Sequence, residues 1–147
     1  FLFNKFIYKL GYPNFMHTAT REDYLRALYI LEENKRDLKS IDLAHYLNVS
    51  KPSVSEMVQE LNKDGLIFYK KYSKLNFTPK GREIAKKLTS KHRLIEFFLK
   101  KILKINSKNI HQEAHSLEHA FSDESIAKLR KLLGNPKKDP HGKPIPR

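Results

Sequence analysis

Residues 40–66 of this 147-residue chain, SIDLAHYLNVSKPSVSEMVQELNKDGL, are the most informative about its fold. The first eight of them predict a short helix that begins at a Ser40 cap, and residues 48–50 predict a turn. The last residue of the turn can cap a second helix, since Pro52 then lies in the first helical turn, where a missing N–H does no harm. This second helix is expected over residues 52–64. Two short helices joined by a tight turn predict a helix-turn-helix unit.

Two further patterns flank this unit. Before it, residues 20–34 carry apolar side chains at helical spacing, and Thr20 with Asp23 has the spacing of a capping box. After it, Gly65 is expected to end the second helix, and residues 66–78 are β-branched and aromatic around a basic centre, which predicts a two-stranded hairpin. Three helices followed by a basic hairpin are the order of a winged helix-turn-helix domain.

The rest of the chain is predicted to be helical. A long helix is expected from Thr78 to about residue 103, a second from Ser107 to about residue 121, and a third from a Ser122 cap to about residue 134. Residues 135–147 are rich in Pro and Lys, which is typical of a loop or linker. The expected fold class is therefore mainly α with a small β-hairpin wing.

Composition and charge narrow the function. Hydrophobic residues make up 39% of the chain, which predicts a packed core. Cysteine is absent, so disulfides and thiolate metal ligands are excluded, and a reducing cytoplasm is the expected location. The net charge is +13, and Glu83 and Glu96 are the only acids in residues 67–110. Such concentrated positive charge favours nucleic acid as the partner.

The N-terminal residues carry no targeting signal that we recognise. Residues 1–17, FLFNKFIYKLGYPNFMH, lack the apolar core and cleavage site of a signal peptide. We expect them to be an extension that is either non-native or poorly ordered. No apolar run in the chain is long enough to span a bilayer, so a membrane partner is not expected.

The second helix of the helix-turn-helix is expected to enter the major groove, with the hairpin beside it. Its polar residues can reach phosphates or base edges, and Glu56 can accept a hydrogen bond from a cytosine amino group. The hairpin lysines can contact the DNA backbone. The candidate DNA-binding residues are Ser50, Lys51, Pro52, Ser53, Ser55, Glu56, Gln59, Lys63, Lys70, Lys71 and Lys74. The alternative is a winged helix that binds protein, and nothing in the sequence indicates RNA.

The segment HQEAHSLEH (residues 111–119) carries potential metal ligands at positions i, i+4, i+7 and i+8. They span an arc of roughly 100° on one helix face, beside an apolar stripe that is offset by one residue. These four residues are His111, His115, Glu118 and His119. On the preceding helix, His92 and Glu96 are also i, i+4 and can face the first group across an antiparallel helix pair. Such pairs also occur on solvated helix faces, which is the alternative.

Together these segments resemble the diphtheria toxin repressor family of iron- and manganese-dependent transcriptional regulators. The similar stretches run from about residue 20 to residue 146 and are EDYLRALYILEE, SIDLAHYLNVSKPSVSEMVQELNKDGLI, LNFTPKGREIAKKL, KHRLIEFFL, HQEAHSLEHAFSDE and PHGKPIP. The resemblance implies a cytoplasmic, metal-dependent repressor that binds a palindromic operator in double-stranded DNA as a homodimer and controls metal-homeostasis genes. It implies no enzymatic activity and no organic cofactor.

The resemblance also implies two metal sites. The primary site falls to Asp23, His115, Glu118 and His119. The ancillary site falls to His92, Glu96 and His111. The implied ion is Fe²⁺ or Mn²⁺, and Co²⁺, Ni²⁺ or Zn²⁺ can substitute in vitro.

Three positions depart from the family pattern. Asp23 stands where iron-sensing members often carry Met and manganese-sensing members carry Asp, and His115 stands where the family usually has Cys or Glu. Ligands without sulfur favour harder ions. Arg26 stands where members with a two-ion manganese cluster carry Glu, which argues against a binuclear site here.

The resemblance divides the chain into four parts. Residues 1–17 form the extension, 18–82 the winged helix-turn-helix DNA-binding domain, 83–134 the helical dimerisation and metal-binding domain, and 135–147 the Pro/Lys-rich tail. Many relatives continue after the tail into an SH3-like domain that supplies further ligands, so the ancillary site of this chain is expected to be incomplete if no such domain follows.

In the implied mechanism, the ion ties Asp23 to the helix that carries the ligand cluster and so fixes the separation of the two recognition helices in the dimer. Without the ion, the joint is expected to be loose, with carboxylates that lack a counter-charge. The alternatives are a winged-helix regulator that senses a small organic ligand, a metal-independent DNA-binding protein, and a metalloenzyme. No nucleophile–base pair or Gly-rich phosphate loop supports the last of these.

Overall fold

The computed structural model describes residues 19–34, 37–70, 73–105 and 108–147. In chain order, the helices and strands are α1 (Arg21–Glu32), α2 (Ser40–Leu47), α3 (Lys51–Lys63), β1 (Ile67–Phe68), β2 (Asn76–Phe77), α4 (Pro79–Lys101), α5 (Ile110–Ala120) and α6 (Asp123–Leu132). This mainly helical fold with one small hairpin confirms the predicted fold class. The predicted N-terminal extension, the candidate DNA contact Lys71 and the predicted helix start at Ser107 lie outside the described residues.

Most helices begin at the hydroxyl caps that the sequence predicts. Thr20 forms the predicted capping box with Asp23, since the Thr20 N–H donates to Asp23 Oδ2 over 2.7 Å and the Thr20 hydroxyl accepts from the Asp23 N–H. Ser50 caps α3, Thr78 caps α4 and Ser122 caps α6. These caps satisfy backbone N–H groups that a helix leaves without intrahelical partners.

Two predicted helix starts are corrected. Ser40 is the first residue of α2 rather than its cap, because the preceding residue, Lys39, is in extended conformation and donates its N–H to Asp42 Oδ2 over 2.8 Å. The cluster helix α5 begins at Ile110, with Asn109 before it, and so starts later than the predicted Ser107.

The hairpin and the start of α4 pack tightly on each other. Strands β1 and β2 are antiparallel, with Ile67 opposite Phe77. The Thr78 N–H and hydroxyl both donate to the Leu66 carbonyl oxygen, over 3.1 and 3.2 Å. A Cβ at Gly81 would lie 1.8 Å from that same oxygen. Only glycine therefore allows α4 to begin this close to the hairpin.

Helix α4 joins two hydrophobic cores. The first core contains α1, α2, α3 and the hairpin, with Leu28, Val58 and Ala85 almost fully buried. The second contains the later part of α4 with α5 and α6, where Leu94 and Ala114 have no exposed surface. Among the described helices, none is both long and apolar enough to cross a membrane.

The C-terminal tail has no helix, as expected for a loop, but it packs on α4. Lys138 and Pro144 form an isolated β-bridge, and Ile145 is buried. Ser90 on α4 donates to the Pro146 carbonyl oxygen over 2.6 Å. The tail is therefore a folded part of the helical half of the protein.

Candidate metal centre and nucleic-acid interface

Three helices bring all seven predicted metal ligands into one connected group where the two cores meet. Helix α1 contributes Asp23, α4 contributes His92 and Glu96, and α5 contributes the remaining four. On α5, Ile110 and Ala114 are buried in the second core. Three of the four ligand positions on this helix follow an apolar position by one residue. With the apolar side chains in the core, the ligands therefore lie on the adjacent helix face, towards α1 and α4.

Three of the four predicted primary ligands, His115, Glu118 and His119, offer ligand atoms within 4.8 Å of one another, and Asp23 lies beside His115. Nδ1 of His115 is 3.4 Å from Asp23 Oδ1 and 2.9 Å from Glu118 Oε1. Nε2 of His119 is 3.9 Å from the same Glu118 oxygen. Asp23 is buried, whereas His119 is exposed, so the group is open to solvent on the His119 side.

The predicted ancillary ligands form a second group around a buried carboxylate. Glu96 is only 2% exposed. Its Oε1 lies 3.1 Å from His92 Nε2 and also contacts His111 Nδ1. Each group offers three ligand atoms that lie within 4.8 Å of one another. These are nitrogen and oxygen donors of the kind that first-row divalent metals accept, and so both groups fit such an ion.

The two groups are not separate, which the sequence did not predict. His92, assigned to the ancillary group, lies with its Nδ1 2.7 Å from Glu118 Oε2 in the primary group. Its other ring nitrogen contacts Glu96, so one imidazole joins the two carboxylates. A change in one group therefore reaches the other through His92.

Hydrogen bonds shift the pKa values of these groups. Burial alone would raise the pKa of the Glu118 carboxyl, but the hydrogen bond to His92 and the charge of Arg26 hold it below its usual value. Burial opposes a charged His92 as well, yet hydrogen bonds to Glu118 and Glu96 raise its pKa. Burial lowers the pKa of His115. The site therefore favours charged carboxylates, as metal ligation requires, whereas His92 must lose a proton before it can bind an ion.

Arg26 occupies the middle of the primary group. Its Nη1 donates to both oxygens of Glu118, over 2.7 and 2.5 Å, and its Nη2 donates to Asp23 Oδ1 over 3.3 Å. The expectation that the carboxylates at the joint lack a counter-charge is therefore wrong. The sequence does not predict this contact, because Arg26 and Glu118 are far apart in the chain. The only indication in the sequence is that Arg26 stands where some family members carry Glu.

His141 in the tail is a second residue that sequence reasoning missed. Its ring stacks on that of His111, with 5.0 Å between centroids. The tail holds it there, because Asp139 accepts a hydrogen bond from the His141 N–H over 2.8 Å. The similarity of the PHGKPIP segment to the family predicts no role for its histidine.

The predicted DNA-binding face is exposed along α3 and the hairpin. Ser55 is half-buried, and its hydroxyl accepts from Gln59 Nε2 over 3.3 Å. The Ser50 hydroxyl caps α3 and lies 2.8 Å from that of Ser53. The exposed residues of the predicted set are Ser50, Lys51, Pro52, Ser53, Glu56, Gln59, Lys63, Lys70 and Lys74. Polar groups and lysines therefore line one surface that can face DNA phosphates and bases.

Two family descriptions match the chain. Residues 16–75 match the N-terminal DNA-binding domain of iron-dependent repressors. Residues 78–147 match the metal-binding and dimerisation domain of the same repressors. The boundary between the two matches falls at the start of α4.

Individual transcriptional regulators are also similar to this chain over most of its length. The HTH-type transcriptional regulator MntR of Geobacillus thermodenitrificans is 38% identical over 118 residues, which cover 80% of this chain and 83% of that regulator. MntR of Bacillus subtilis is 37% identical over the same length.

Solved structures share the fold. A manganese-dependent transcriptional repressor in complex with manganese superposes with a TM-score of 0.80 at 34% identity, over 87% of this chain and 59% of that one. The manganese regulator SloR gives a TM-score of 0.78 at 41% identity, over 88% and 60%. The chain thus spans about 60% of the length of these solved proteins.

Proposed function

The chain belongs to the family of iron-dependent repressors, and from this premise we propose that it is a metal-dependent transcriptional repressor. The observation that carries the proposal is the meeting of Asp23, from the DNA-binding half, with His115 and Glu118 from the helical half. A site that joins the two halves can make DNA binding depend on metal. The proposed role is regulatory rather than catalytic, in agreement with a family of transcriptional regulators.

We assign the proposed primary site to Asp23, His115, Glu118 and His119, and the ancillary site to His92, Glu96 and His111. His141 lies beside the ancillary site and is available to it. The ion we propose is Mn²⁺ or Fe²⁺; oxygen and imidazole ligands without sulfur favour the harder Mn²⁺. The bound ion supplies divalent charge that offsets carboxylates from two helices.

The four primary residues are proposed to couple metal binding to DNA binding. Asp23 lies on α1, which packs on α2 and on α4. Holding Asp23 to α5 fixes the helix-turn-helix relative to the helical half. The DNA-competent arrangement is favoured because these residues bind the ion better in it than in other arrangements.

The DNA-bound form is proposed to be a homodimer that contacts a palindromic operator in the cytoplasm. The helical half, residues 83–134, would provide the dimer contact, and each α3 would enter one major groove of a half-site. The exposed residues of α3 and the hairpin lysines then contact bases and phosphates. Genes of metal homeostasis are the proposed targets, in keeping with relatives that are manganese regulators.

The test is retardation of the protein's own promoter DNA at fixed salt, first with chelator and then with added Mn²⁺ or Fe²⁺. We expect retardation only with metal. Glu118→Gln should abolish this dependence, whereas the matched change Glu113→Gln, at an exposed position of the same helix, should leave it intact. Equally tight binding in chelator would overturn metal dependence and leave a metal-independent DNA-binding protein.

A further inference from the structure

We propose that Arg26 is a built-in counter-cation of the primary site, which competes with the metal ion for Glu118 and Asp23 and so sets how much metal the protein needs. This inference rests on the proposed function, because it concerns the affinity of the same site. Arg26 lies on α1 with 16% of its side chain exposed. It reaches His92 on α4 and Glu118 on α5.

Arg26 takes the oxygens that an ion would need. Both Glu118 oxygens accept hydrogen bonds from Nη1, over 2.7 and 2.5 Å. Asp23 Oδ1 accepts from Nη2 over 3.3 Å, while the other Asp23 oxygen is held by Thr20. The oxygens of both carboxylates that face His115 therefore also face the guanidinium.

The guanidinium and an ion do not fit this space together without repulsion. Asp23 Oδ1 and His115 Nδ1 are 3.4 Å apart, and Arg26 Nη2 is 3.3 Å from each of them. With metal–ligand distances of about 2.0–2.2 Å, an ion shared by these two atoms lies no more than about 4 Å from Nη2. Positive charges this close in a half-buried site repel strongly. The ion must therefore displace the guanidinium, which lowers the metal affinity.

A supporting role for Arg26 would have the opposite effect. A residue that only orients Glu118 from outside the ligand shell would raise metal affinity, as hydrogen-bonding partners of ligands commonly do. Removing Arg26 should then weaken binding. Competition predicts that removing it strengthens binding, so the sign of the change decides between the two roles.

The experiment titrates the full chain with Mn²⁺ and measures the free ion by its electron paramagnetic resonance signal. Arg26→Gln removes the charge, and we expect its Kd for the primary site to fall by at least about tenfold. Arg26→Lys keeps the charge, and its Kd should stay within about threefold of the wild-type value. Thermal unfolding in chelator should occur at a lower temperature for Arg26→Gln, since the carboxylates lose their counter-charge. An unchanged or higher Kd for Arg26→Gln would overturn the proposal.

A measurement on the wild type covers the case in which Arg26→Gln does not fold. In protein with ¹⁵N-labelled arginine, diamagnetic Zn²⁺ is added and the Arg26 side-chain N–H signals are followed. If the ion displaces the Arg26 guanidinium, these signals should shift with the first equivalent of Zn²⁺. They should also begin to average with one another, because the freed side chain rotates. Signals that stay unchanged while Zn²⁺ binds would contradict this displacement.

Failure of this inference can be told apart from failure of the proposed function. Glu118→Gln should lose one Mn²⁺ per chain, and Glu113→Gln should lose none. If Glu118→Gln binds as many ions as the wild type, the primary site itself is wrong. If it loses one ion while Arg26→Gln keeps the wild-type Kd, only the role of Arg26 is wrong.

Discussion

Asp23 divides its two carboxylate oxygens between two tasks. Oδ2 accepts hydrogen bonds from the Thr20 N–H and hydroxyl, over 2.7 and 2.8 Å, and so fixes the start of α1. Oδ1 faces Arg26 and His115 in the proposed primary site. The capping role and the proposed metal role therefore fall to different oxygens of one side chain, and substitutions can separate them.

Thr20→Ala and Asp23→Asn should differ in their effect on metal dependence. Each weakens the cap and should lower the free energy of unfolding by about 1 kcal/mol. Thr20→Ala keeps Oδ1 and should retain metal-dependent operator binding, whereas Asp23→Asn should lose it. Urea unfolding in chelator and DNA retardation with Mn²⁺ measure the two effects. Loss of the metal response in Thr20→Ala would show that the cap and the site cannot be separated.

The cap of α1 should also depend on pH. Burial raises the pKa of Asp23, but the hydrogen bonds from Thr20 outweigh burial and hold the pKa below its usual value. A carboxyl with a lowered pKa stabilises the fold above its unfolded pKa, and this contribution is lost as pH falls through the folded pKa. The stability difference between wild type and Asp23→Asn should thus be full at pH 7 and shrink below about pH 4. Urea unfolding in chelator across this range measures it, and a constant difference would argue against a charged cap.

Gly81 fixes how α4 meets the hairpin. The Leu66 carbonyl oxygen lies where an alanine Cβ would be placed, and backbone cannot move aside as a side chain can. Gly81→Ala should lower the free energy of unfolding by at least about 3 kcal/mol. Gly134→Ala is the control, since that glycine has positive φ but no atom within 4 Å of the added Cβ. It should cost only about 1 kcal/mol, from backbone strain. Equal losses in urea unfolding would contradict the steric account.

The hairpin should contribute charge rather than sequence preference to DNA binding. Lys70 and Lys74 are exposed on it. Replacing either by Gln should weaken binding to operator and random DNA alike and reduce the slope of log K against log salt by about 1. The control Lys128→Gln, on α6 and paired with Glu124, should leave the slope unchanged. A wing variant that changed operator preference at constant slope would instead indicate base contacts.

The helix starts show which parts of an element can be predicted from sequence. Thr20, Ser50, Thr78 and Ser122 each bond an N–H three residues on, and such a short-range contact is visible in the sequence. Ser40 misled the prediction because Asp42 provides the competing acceptor and bonds the Lys39 N–H. The sequence allows either Lys39 or Ser40 as the residue before the helix, so the predicted start of α2 is uncertain by one residue.

Ligand spacing within a helix can be predicted from the sequence, whereas contact between helices cannot. The positions of His115, Glu118 and His119 follow from helical periodicity. The contact of Arg26 with Glu118, 92 residues later, depends on how α1 packs on α4 and α5. His141 reaches His111 only because the tail folds back on α4. Neither contact leaves a periodic pattern in the sequence.

Arg93 on α4 contacts both the end of α1 and the tail, and its loss should destabilise the fold. It is 4% exposed on α4, donates to both oxygens of Glu33 after α1, over 2.9 and 2.6 Å, and donates to the Pro144 carbonyl oxygen over 2.7 Å. Arg82, on the same helix, makes a similar pair with Glu32 over 2.7 and 2.8 Å, but its side chain is 48% exposed. The two ion pairs differ in burial, and Arg93 in addition contacts Pro144 and Asp139 of the tail.

Burial should therefore decide the cost of breaking each pair. Arg93→Met leaves Glu33 and the buried Asp139 without their cation and should lower the free energy of unfolding by about 3–5 kcal/mol. Arg82→Met breaks a solvated pair and should cost no more than about 1 kcal/mol. Urea unfolding of both variants in chelator makes the comparison without any contribution from metal. Similar small losses would mean that apolar packing alone holds the tail and α1 on α4. A large loss for Arg93→Met alone would mean that this ion pair keeps the DNA-binding half and the tail attached to the same helix.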